Sequence, residues 1–183
     1  MEVNDKIRYP FGKMPVYADI PPEMLYDWIE TIGDFPDKLK ELIKDLNSIM
    51  ENARYREGGW TIRQIVHHLA DSHVNAYIRI KLALTEDSPT IKPYYEERWA
   101  ELADTFESPV NLSIQILEGI HGRMYSLLKS MNPEDFNRSY YHPEHKMDFS
   151  LAQLAGMYDW HSRHHMEHLR MAKQNYEQGI FFS

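Results

Sequence analysis

The chain has 183 residues, of which 43% are hydrophobic and 26% charged, a composition typical of one soluble globular domain. It contains no cysteine, which excludes disulfides, thiolate nucleophiles, cysteine zinc fingers and iron–sulfur clusters. The formal net charge of −8 and the lack of any basic run argue against nucleic acid or an anionic membrane as a partner.

The N-terminal segment has no apolar core of the kind that a signal peptide needs, and no stretch approaches the length of a membrane span. We therefore expect a cytoplasmic protein that does not cross a membrane. Residues 1–20 contain two prolines and a glycine and show no clean period, which predicts an extended arm lying on the body. The length suits a single domain over residues 1–183.

Two long helices are predicted in the first half of the chain. Apolar residues recur at helical spacing over residues 21–46, after a proline pair that suits a helix start. Gly33 and Pro36 interrupt this pattern, which predicts one kinked helix or two abutting ones. Thr61 opens a capping box with the glutamine three residues later, and the second helix continues to about Leu84.

The second half of the chain adds two more long helices and a short one. The short extra helix is predicted over residues 94–102, and the third long helix over residues 108–132. Residues 137–149 are predicted to form an irregular loop rich in aromatic side chains. Ser150 opens a second capping box, and the last helix continues to about Gln178. Four long helices with medium-length connections favour an all-α fold, a four-helix bundle.

The ten histidines are the unusual feature of the composition, and four of them fall within residues 160–168. On a wheel that advances about 100° per residue, His161 and His165 point most nearly along the buried stripe of the last helix. Two imidazoles at this i, i+4 spacing can bind one metal ion, as in helical zinc sites. Burying them without an ion or a carboxylate partner would be costly. The pair therefore predicts a metal site.

A zinc-class site needs a third protein ligand, and the second long helix offers several histidines. Periodicity modestly favours His68 over His67, since only one of two adjacent helix residues can face a given direction. His73 lies nearer the centre of the apolar face and is a second competitor. Asp71 is a candidate to orient a ligand by accepting a hydrogen bond at its carboxylate. Other single histidines, such as His121, are expected to be ordinary packing residues.

Other catalytic and metal-binding motifs fit poorly. The chain has no His-Glu-x-x-His motif, and a di-iron bundle would need two Glu-x-x-His motifs where residues 118–121 supply only one. A P-loop and a Gly-x-Gly-x-x-Gly are absent. The absence of Gly-x-Ser-x-Gly removes support for a serine nucleophile. No side chain stands out as a general base.

Two segments together resemble a known family. Residues 58–73 (GGWTIRQIVHHLADSH) and 160–165 (WHSRHH) are similar to the DinB superfamily, and more closely to its YfiT-like branch. Further likeness lies along nearly the whole chain, at residues 9–12, 88–94, 117–122 and 140–143. The resemblance implies a four-helix bundle in an up-down-down-up arrangement that is usually dimeric. Members of this branch are often labelled metal-dependent hydrolases.

The family holds its metal with three histidines, one from the second long helix and two from the last. Carried onto this chain, the resemblance implies His68, His161 and His165, so it selects His68 over its two competitors. It also implies one divalent metal per chain, zinc in the first place with nickel as the alternative. Arg163 stands where close relatives can carry another histidine, outside the three ligands.

Three functions are compatible with such a site. The first is a metal-dependent hydrolase, in which a metal-activated water attacks a small-molecule substrate. The second is a thiol S-transferase that uses a low-molecular-weight thiol of the bacillithiol type, as some DinB proteins do. It calls for a basic pocket, for which Arg54, Arg56 and Arg63 are candidates. The third is a non-catalytic bundle, which predicts a closed site with a fourth protein ligand, His164 or Glu167.

Overall fold

A computed structural model describes residues 3–17 and 19–182, and over these ranges the chain is mainly helical. The helices and strands of these ranges are α1 (Val3–Arg8), α2 (Pro22–Ile43), α3 (Ile62–Thr85), α4 (Glu96–Trp99), α5 (Ala103–Glu107), α6 (Val110–Ser130), β1 (Ser139–His142), β2 (Met147–Ser150) and α7 (Leu151–Glu177). None of the helices in the described ranges combines the length and the apolar character needed to cross a bilayer.

The four long helices form a bundle in which α2 and α3 each pack against both α6 and α7. Consecutive helices α2 and α3 are therefore diagonal to one another. α2 and α7 run in the same direction: the Trp28 ring lies against Gly156 near their first turns. Near their last turns, Lys173 Nζ donates to the carbonyl oxygen of Leu42 at 2.7 Å.

The other two helices run in the opposite direction. The Tyr158 hydroxyl of α7 donates to the Ser72 carbonyl at 2.9 Å, whereas the later residue His165 meets the earlier residue His68. α3 is therefore antiparallel to α7. Between α3 and α6, His67 bonds to Ser113 and the later residue His73 bonds to the later residue His121. These two helices are therefore parallel. The predicted four-helix bundle with an up-down-down-up arrangement is confirmed.

Both predicted capping boxes form, and they define where the two histidine-bearing helices begin. Thr61 Oγ1 accepts from the Gln64 backbone at 3.1 Å, and Gln64 Oε1 accepts from the Thr61 backbone at 3.0 Å. Ser150 and Gln153 repeat this exchange at 3.1 and 2.9 Å. Each box satisfies backbone N–H groups that the first turn of a helix leaves free.

The apolar core is divided into two clusters along the bundle. Ile32 and Leu154 belong to the first cluster, and Leu39 and Leu69 belong to the second. On α3, α6 and α7, positions between the two clusters are occupied by histidines, namely His73, His121 and His161. A polar layer therefore crosses the middle of an otherwise apolar core.

Of the two alternatives predicted for the first long helix, two abutting helices are excluded, because α2 is one helix that continues through Gly33 and Pro36. Proline has no N–H, so the Ile32 carbonyl four residues earlier loses its partner within the helix. His121 Nδ1 of α6 replaces that donor, at 2.6 Å from the Ile32 oxygen. Gly33 allows close packing of α6, since a Cβ there would lie 2.7 Å from the Tyr125 ring.

Three connecting segments also differ from the predictions. The N-terminal arm is not extended throughout, because α1 forms within it. The short helix predicted over residues 94–102 forms as α4 but is shorter, and a further short helix that was not predicted, α5, follows it. The predicted irregular loop over residues 137–149 contains the antiparallel strands β1 and β2. Tyr140 and Phe149 pair across these strands, and both rings are buried, so packing of aromatic side chains orders this segment.

Gly156 of α7 allows the Trp28 ring of α2 to approach, since a Cβ would lie 2.8 Å from two carbons of that ring. We expect Gly156→Ala to lower the free energy of unfolding by about 1–3 kcal/mol, because the ring must shift. Gly119 of α6 faces open space, so Gly119→Ala is the matched control and should be neutral or stabilising. Urea denaturation measures both, and equal effects would contradict the tight contact.

Candidate metal centre

Three histidines from two helices come together within the bundle. His68 lies in the second turn of α3, and His161 and His165 lie one turn apart in α7. A ring nitrogen of each lies within 4.8 Å of one from each of the other two. The Nε2 atoms of His68 and His161 are 3.2 Å apart. Two nitrogens bound to one tetrahedral zinc ion at 2.0–2.1 Å would be about 3.3 Å apart, so the arrangement fits a divalent ion.

Burial keeps these three rings neutral at pH 7. It lowers the pKa of His68 to about 4, and it lowers the pKa values of His161 and His165 well below their ordinary value of 6.5. Neighbouring histidines act in the same direction, because like charges disfavour the protonated form. A neutral imidazole keeps a lone pair for a metal, so no proton has to be removed for binding at neutral pH.

A chain of hydrogen bonds connects this centre to α2. The Ile32 carbonyl can only accept, so His121 Nδ1 donates to it and His121 Nε2 is left as an acceptor. His73 Nδ1 donates to His121 Nε2 at 2.7 Å. His73 Nε2 then accepts from His161 Nδ1 at 3.2 Å. His121 and His73 therefore each donate through Nδ1 and accept through Nε2, and His161 donates through Nδ1.

The direction of these hydrogen bonds decides which nitrogen of His161 is available. With its proton assigned to Nδ1 by this chain, the neutral ring turns the Nε2 lone pair toward His68. A ligand whose second nitrogen donates a hydrogen bond is held in one tautomer and one orientation. The chain starts at Pro36, because the proline frees the Ile32 carbonyl.

Replacing His73 with phenylalanine should lower the affinity for zinc about 10- to 100-fold, because His161 loses the acceptor that orients it. Phenylalanine keeps an aromatic ring for the stack on Phe35, whose centroid lies 5.2 Å away. Titration in competition with a chelator measures the affinity. His67→Phe is the control, since His67 is also buried but bonds to Ser113. Equal affinities in wild type and His73→Phe would contradict the orienting role.

A second group of histidines lies beside the first. Ring nitrogens of His164, His165 and His168 are also within 4.8 Å of one another, and the Nδ1 atom of each is buried without a hydrogen-bond partner. His168 Nε2 bonds to the Arg8 carbonyl oxygen at 3.3 Å. The two groups share His165. The first group draws on two helices and is joined to the ordered histidine chain, which favours it as the metal centre.

The other residues considered for the centre do not belong to the group of His68, His161 and His165. His164 belongs only to the second group, and the Glu167 carboxylate pairs with a neighbouring arginine at 3.1 Å. Asp71 makes no side-chain hydrogen bond to a histidine of the described ranges. Burial raises the pKa of its carboxyl to about 6, with the charge of Asp104 adding to the effect. His73 holds the position in which a carboxylate was predicted.

The three histidines line a cavity of about 1040 Å³. Exposed side chains of α4 form part of its wall, so solvent reaches it. Trp60 also lines it, with its ring centroid 4.6 Å from that of His68. Trp160 stacks on His164 at 4.4 Å. The centre is therefore bordered by the Trp60 ring and lies in a cavity that a small molecule can enter.

Two of the three arginines predicted for a basic pocket line this cavity, Arg54 and Arg56. Arg54 donates to the Gly59 carbonyl oxygen, and Arg56 donates to the next residue's carbonyl oxygen at 2.8 Å. Arg63 does not line the cavity, because it pairs with Glu51. The cavity thus contains both a group of potential metal ligands and positive charge.

Comparison with known proteins places this architecture in a family. Residues 32–169 match the DinB superfamily. The chain belongs to the DinB superfamily. A Bacillus cereus (strain 03BB102) protein named "Putative metal-dependent hydrolase" is 48% identical over 167 residues, covering 91% of this DinB chain and 95% of that protein. A Bacillus mycoides (strain KBAB4) protein named "Putative metal-dependent hydrolase BcerKBAB4_2443" is 45% identical over 168 residues, covering 92% and 96%.

This DinB protein is also similar to a solved structure. That structure is described as "YfiT from Bacillus subtilis is a probable metal-dependent hydrolase with an unusual four-helix bundle topology". The TM-score is 0.89 and the sequence identity 39%, covering 97% of this chain and 99% of the other. The likeness extends to the order and direction of the four long helices.

Two features of the centre are not predicted by the sequence analysis. The hydrogen-bonded chain through His73 and His121 is one, since single histidines were expected to be packing residues. The sequence does contain a signal for this chain, because a proline inside a helix leaves the carbonyl four residues earlier without its donor. That carbonyl needs a donor from another helix. The second feature is the group that includes His168, which lies one turn beyond the predicted pair and shares its buried face.

Proposed function

We propose that this DinB protein is a metal-dependent hydrolase that holds one divalent ion at His68, His161 and His165. The observation that carries the proposal is the convergence of three neutral imidazoles beside a cavity of about 1040 Å³. The names of the similar proteins, which refer to metal-dependent hydrolases, support the same class of activity. The substrate is a small molecule, since the cavity is of the size that binds such ligands.

Three neutral ligands would leave a divalent ion its full charge and one free coordination position. When bound there, the ion supplies Lewis-acid activation of a water molecule. The chain's own residues prepare the place for this chemistry. His73 holds the His161 ring in one orientation, and the Trp60 ring packs on His68 and His165 with centroids 4.6 and 6.3 Å away. These rings exclude water from one side and strengthen electrostatic interactions there.

The test is hydrolysis of p-nitrophenyl esters and p-nitroanilides by protein stripped of metal and then reloaded. One equivalent of zinc, nickel or manganese is added in separate samples. We expect turnover to disappear on stripping and to return with at least one of these ions. The His68→Ala variant, treated in the same way, should stay at the background rate. Turnover that needs neither the metal nor His68 would contradict the proposal.

A second candidate function is a metal-dependent thiol S-transferase, which is favoured by Arg54 and Arg56 in the cavity. Guanidinium groups suit the carboxylates of a low-molecular-weight thiol such as bacillithiol. The lack of cysteine fits a thiol supplied from outside the chain. Metal-dependent loss of free thiol in the presence of an electrophile, without hydrolysis of the ester and anilide panel, would favour this candidate over the first.

The homodimer, the cytoplasmic location, and zinc as the resident ion with nickel as the alternative stay predictions. A non-catalytic bundle would require a fourth protein ligand that closes the site, and neither His164 nor Glu167 belongs to the group of His68. Elemental analysis of untagged protein identifies the ion, and sedimentation velocity measures the oligomeric state.

A further inference from the structure

Arg79 is a buried cation without a counter-ion in the described ranges. It lies in α3, is only 8% exposed and lines the same cavity as the three histidines. No Asp or Glu oxygen of the described residues lies within 4.0 Å of its guanidinium nitrogens. An arginine side chain does not lose its proton in a protein. Burying an unpaired charge is costly, so such a group is retained where something pairs with it.

Arg79 differs from the other four arginines that line the cavity. Arg54 and Arg56 donate to backbone carbonyl oxygens of their own loop. The Arg98 guanidinium lies 4.6 Å from the ring centroid of Tyr95. The Arg8 guanidinium lies 5.5 Å from that of Tyr9. These four have local partners that do not depend on a ligand. Among the five arginines that line the cavity, Arg79 is the one whose side chain is buried.

Four polar side chains near Arg79 are uncharged. Tyr94, Tyr158 and His142 line the same cavity as Arg79, and its charge acts on each of them and on Tyr140. Burial raises the pKa values of the three phenols, so they stay protonated at neutral pH. Burial lowers the pKa of His142 to about 4, so this ring is also uncharged. His142 Nδ1 is buried without a hydrogen-bond partner. The buried Tyr140 hydroxyl lies near the Arg79 guanidinium, which lowers the pKa of Tyr140 against the larger effect of burial.

Glu96 of α4 is a carboxylate in the wall of the same cavity, and the charge of Arg79 acts on it. The coupling is weak, because partial burial and the negative charge of Glu144 together raise the pKa of Glu96 in spite of Arg79. A close ion pair would lower that pKa instead. Glu96 therefore does not neutralise the guanidinium, and the position beside Arg79 is left for a negative group from outside.

We infer that Arg79 binds an anionic group of the substrate, a carboxylate or a phosphate. A guanidinium pairs with either oxyanion through two parallel hydrogen bonds. Arg79 follows His68 by three turns of α3, so their Cα atoms are about 16 Å apart. A molecule that reaches both is therefore extended, with its reacting group at the histidines and its charge at Arg79. That the bound anion belongs to the substrate rests on the proposed function. The anion site at Arg79 does not rest on it.

The experiment uses metal-free protein, so that its result does not depend on the metal centre. Acetate and inorganic phosphate are titrated separately, with acetamide as the neutral control, and the ring signals of His142 are followed by NMR. We expect a saturable shift with at least one anion and none with acetamide. Arg79→Met should weaken that binding at least tenfold, and Arg79→Lys should weaken it less. The tighter of the two anions identifies the class as carboxylate or phosphate.

Arg98→Met is the matched control in the same cavity and should bind the anion as the wild type does. Arg79→Met should not lower the melting temperature, because it removes an unpaired buried charge. The inference is overturned if neither anion binds, if Arg79→Met binds as tightly as the wild type, or if acetamide binds as well as acetate. Failure of the hydrolase proposal would appear as a lack of turnover in metal-loaded protein and would leave this titration unchanged.

Discussion

Replacing His68 with alanine is expected to abolish tight metal binding while leaving the helix content unchanged. Structural zinc sites bind with about 10–16 kcal/mol, which is about 2.5–4 kcal/mol for each of four ligands. Losing one ligand should therefore weaken binding roughly 100- to 1000-fold. His68 is the α3 member of its group, so no neighbour on the same helix replaces it. Elemental analysis and chelator competition measure the loss, and far-UV circular dichroism reports the fold.

His168→Ala is the control that separates the two overlapping groups of histidines. His168 belongs to the group with His164 and His165, and it stacks on Tyr55 with ring centroids 3.9 Å apart. We expect this variant to keep one ion per chain. If His168→Ala empties the site and His68→Ala does not, the metal is held by the second group and the proposed ligand set is wrong.

The metal-free protein is expected to lose stability steeply as the pH falls below 6.5. Burial lowers the pKa values of His68, His121 and His164 to about 4 and that of His168 to about 3. Between these values and 6.5, the unfolded chain binds more protons than the folded one. The free energy of unfolding therefore falls as the pH falls, by up to about 1.4 kcal/mol per pH unit for each histidine.

Urea denaturation of metal-free protein at half-unit steps from pH 7.5 to 4.5 measures this slope. His121→Gln is the informative variant, because a glutamine amide can donate to the Ile32 carbonyl and accept from His73 without titrating. For this variant, the slope of the free energy of unfolding against pH should be smaller by the contribution of about one proton. A saturating divalent ion should shift the acid transition to lower pH, since metal binds the neutral rings. Constant stability between pH 6.5 and 4.5 would contradict the buried, neutral state of these histidines.

Much of this centre follows from interactions within a few residues of each other. The capping boxes that start α3 and α7 join residues three positions apart, so their sequence pattern predicts both helix starts. The 3.6-residue period likewise places His161 and His165 on one face of α7. The third ligand is different, because periodicity leaves His67, His68 and His73 as alternatives. The family resemblance selected His68, and the antiparallel packing of α3 on α7 brings it to the pair.

The features that the sequence left open or missed depend on neighbours distant in the chain. Gly33 and Pro36 alone leave one kinked helix or two abutting ones, and the single helix forms with His121 of α6 donating to the carbonyl that the proline frees. The hairpin within residues 137–149 forms because the Tyr140 and Phe149 rings are buried together. The residue propensities of one segment carry no information about partners that come from another segment.

The sequence by itself determined the helices, their caps and the histidine pair, because these rest on short-range hydrogen bonds and on the helical period. Only the tertiary structure shows that His68 meets the pair on α7, how the His161 proton is placed and that Arg79 has no counter-ion among the described residues. Each of these depends on which helices become neighbours and in which direction they run. A buried polar group takes its tautomer and its charge balance from partners that the fold brings to it.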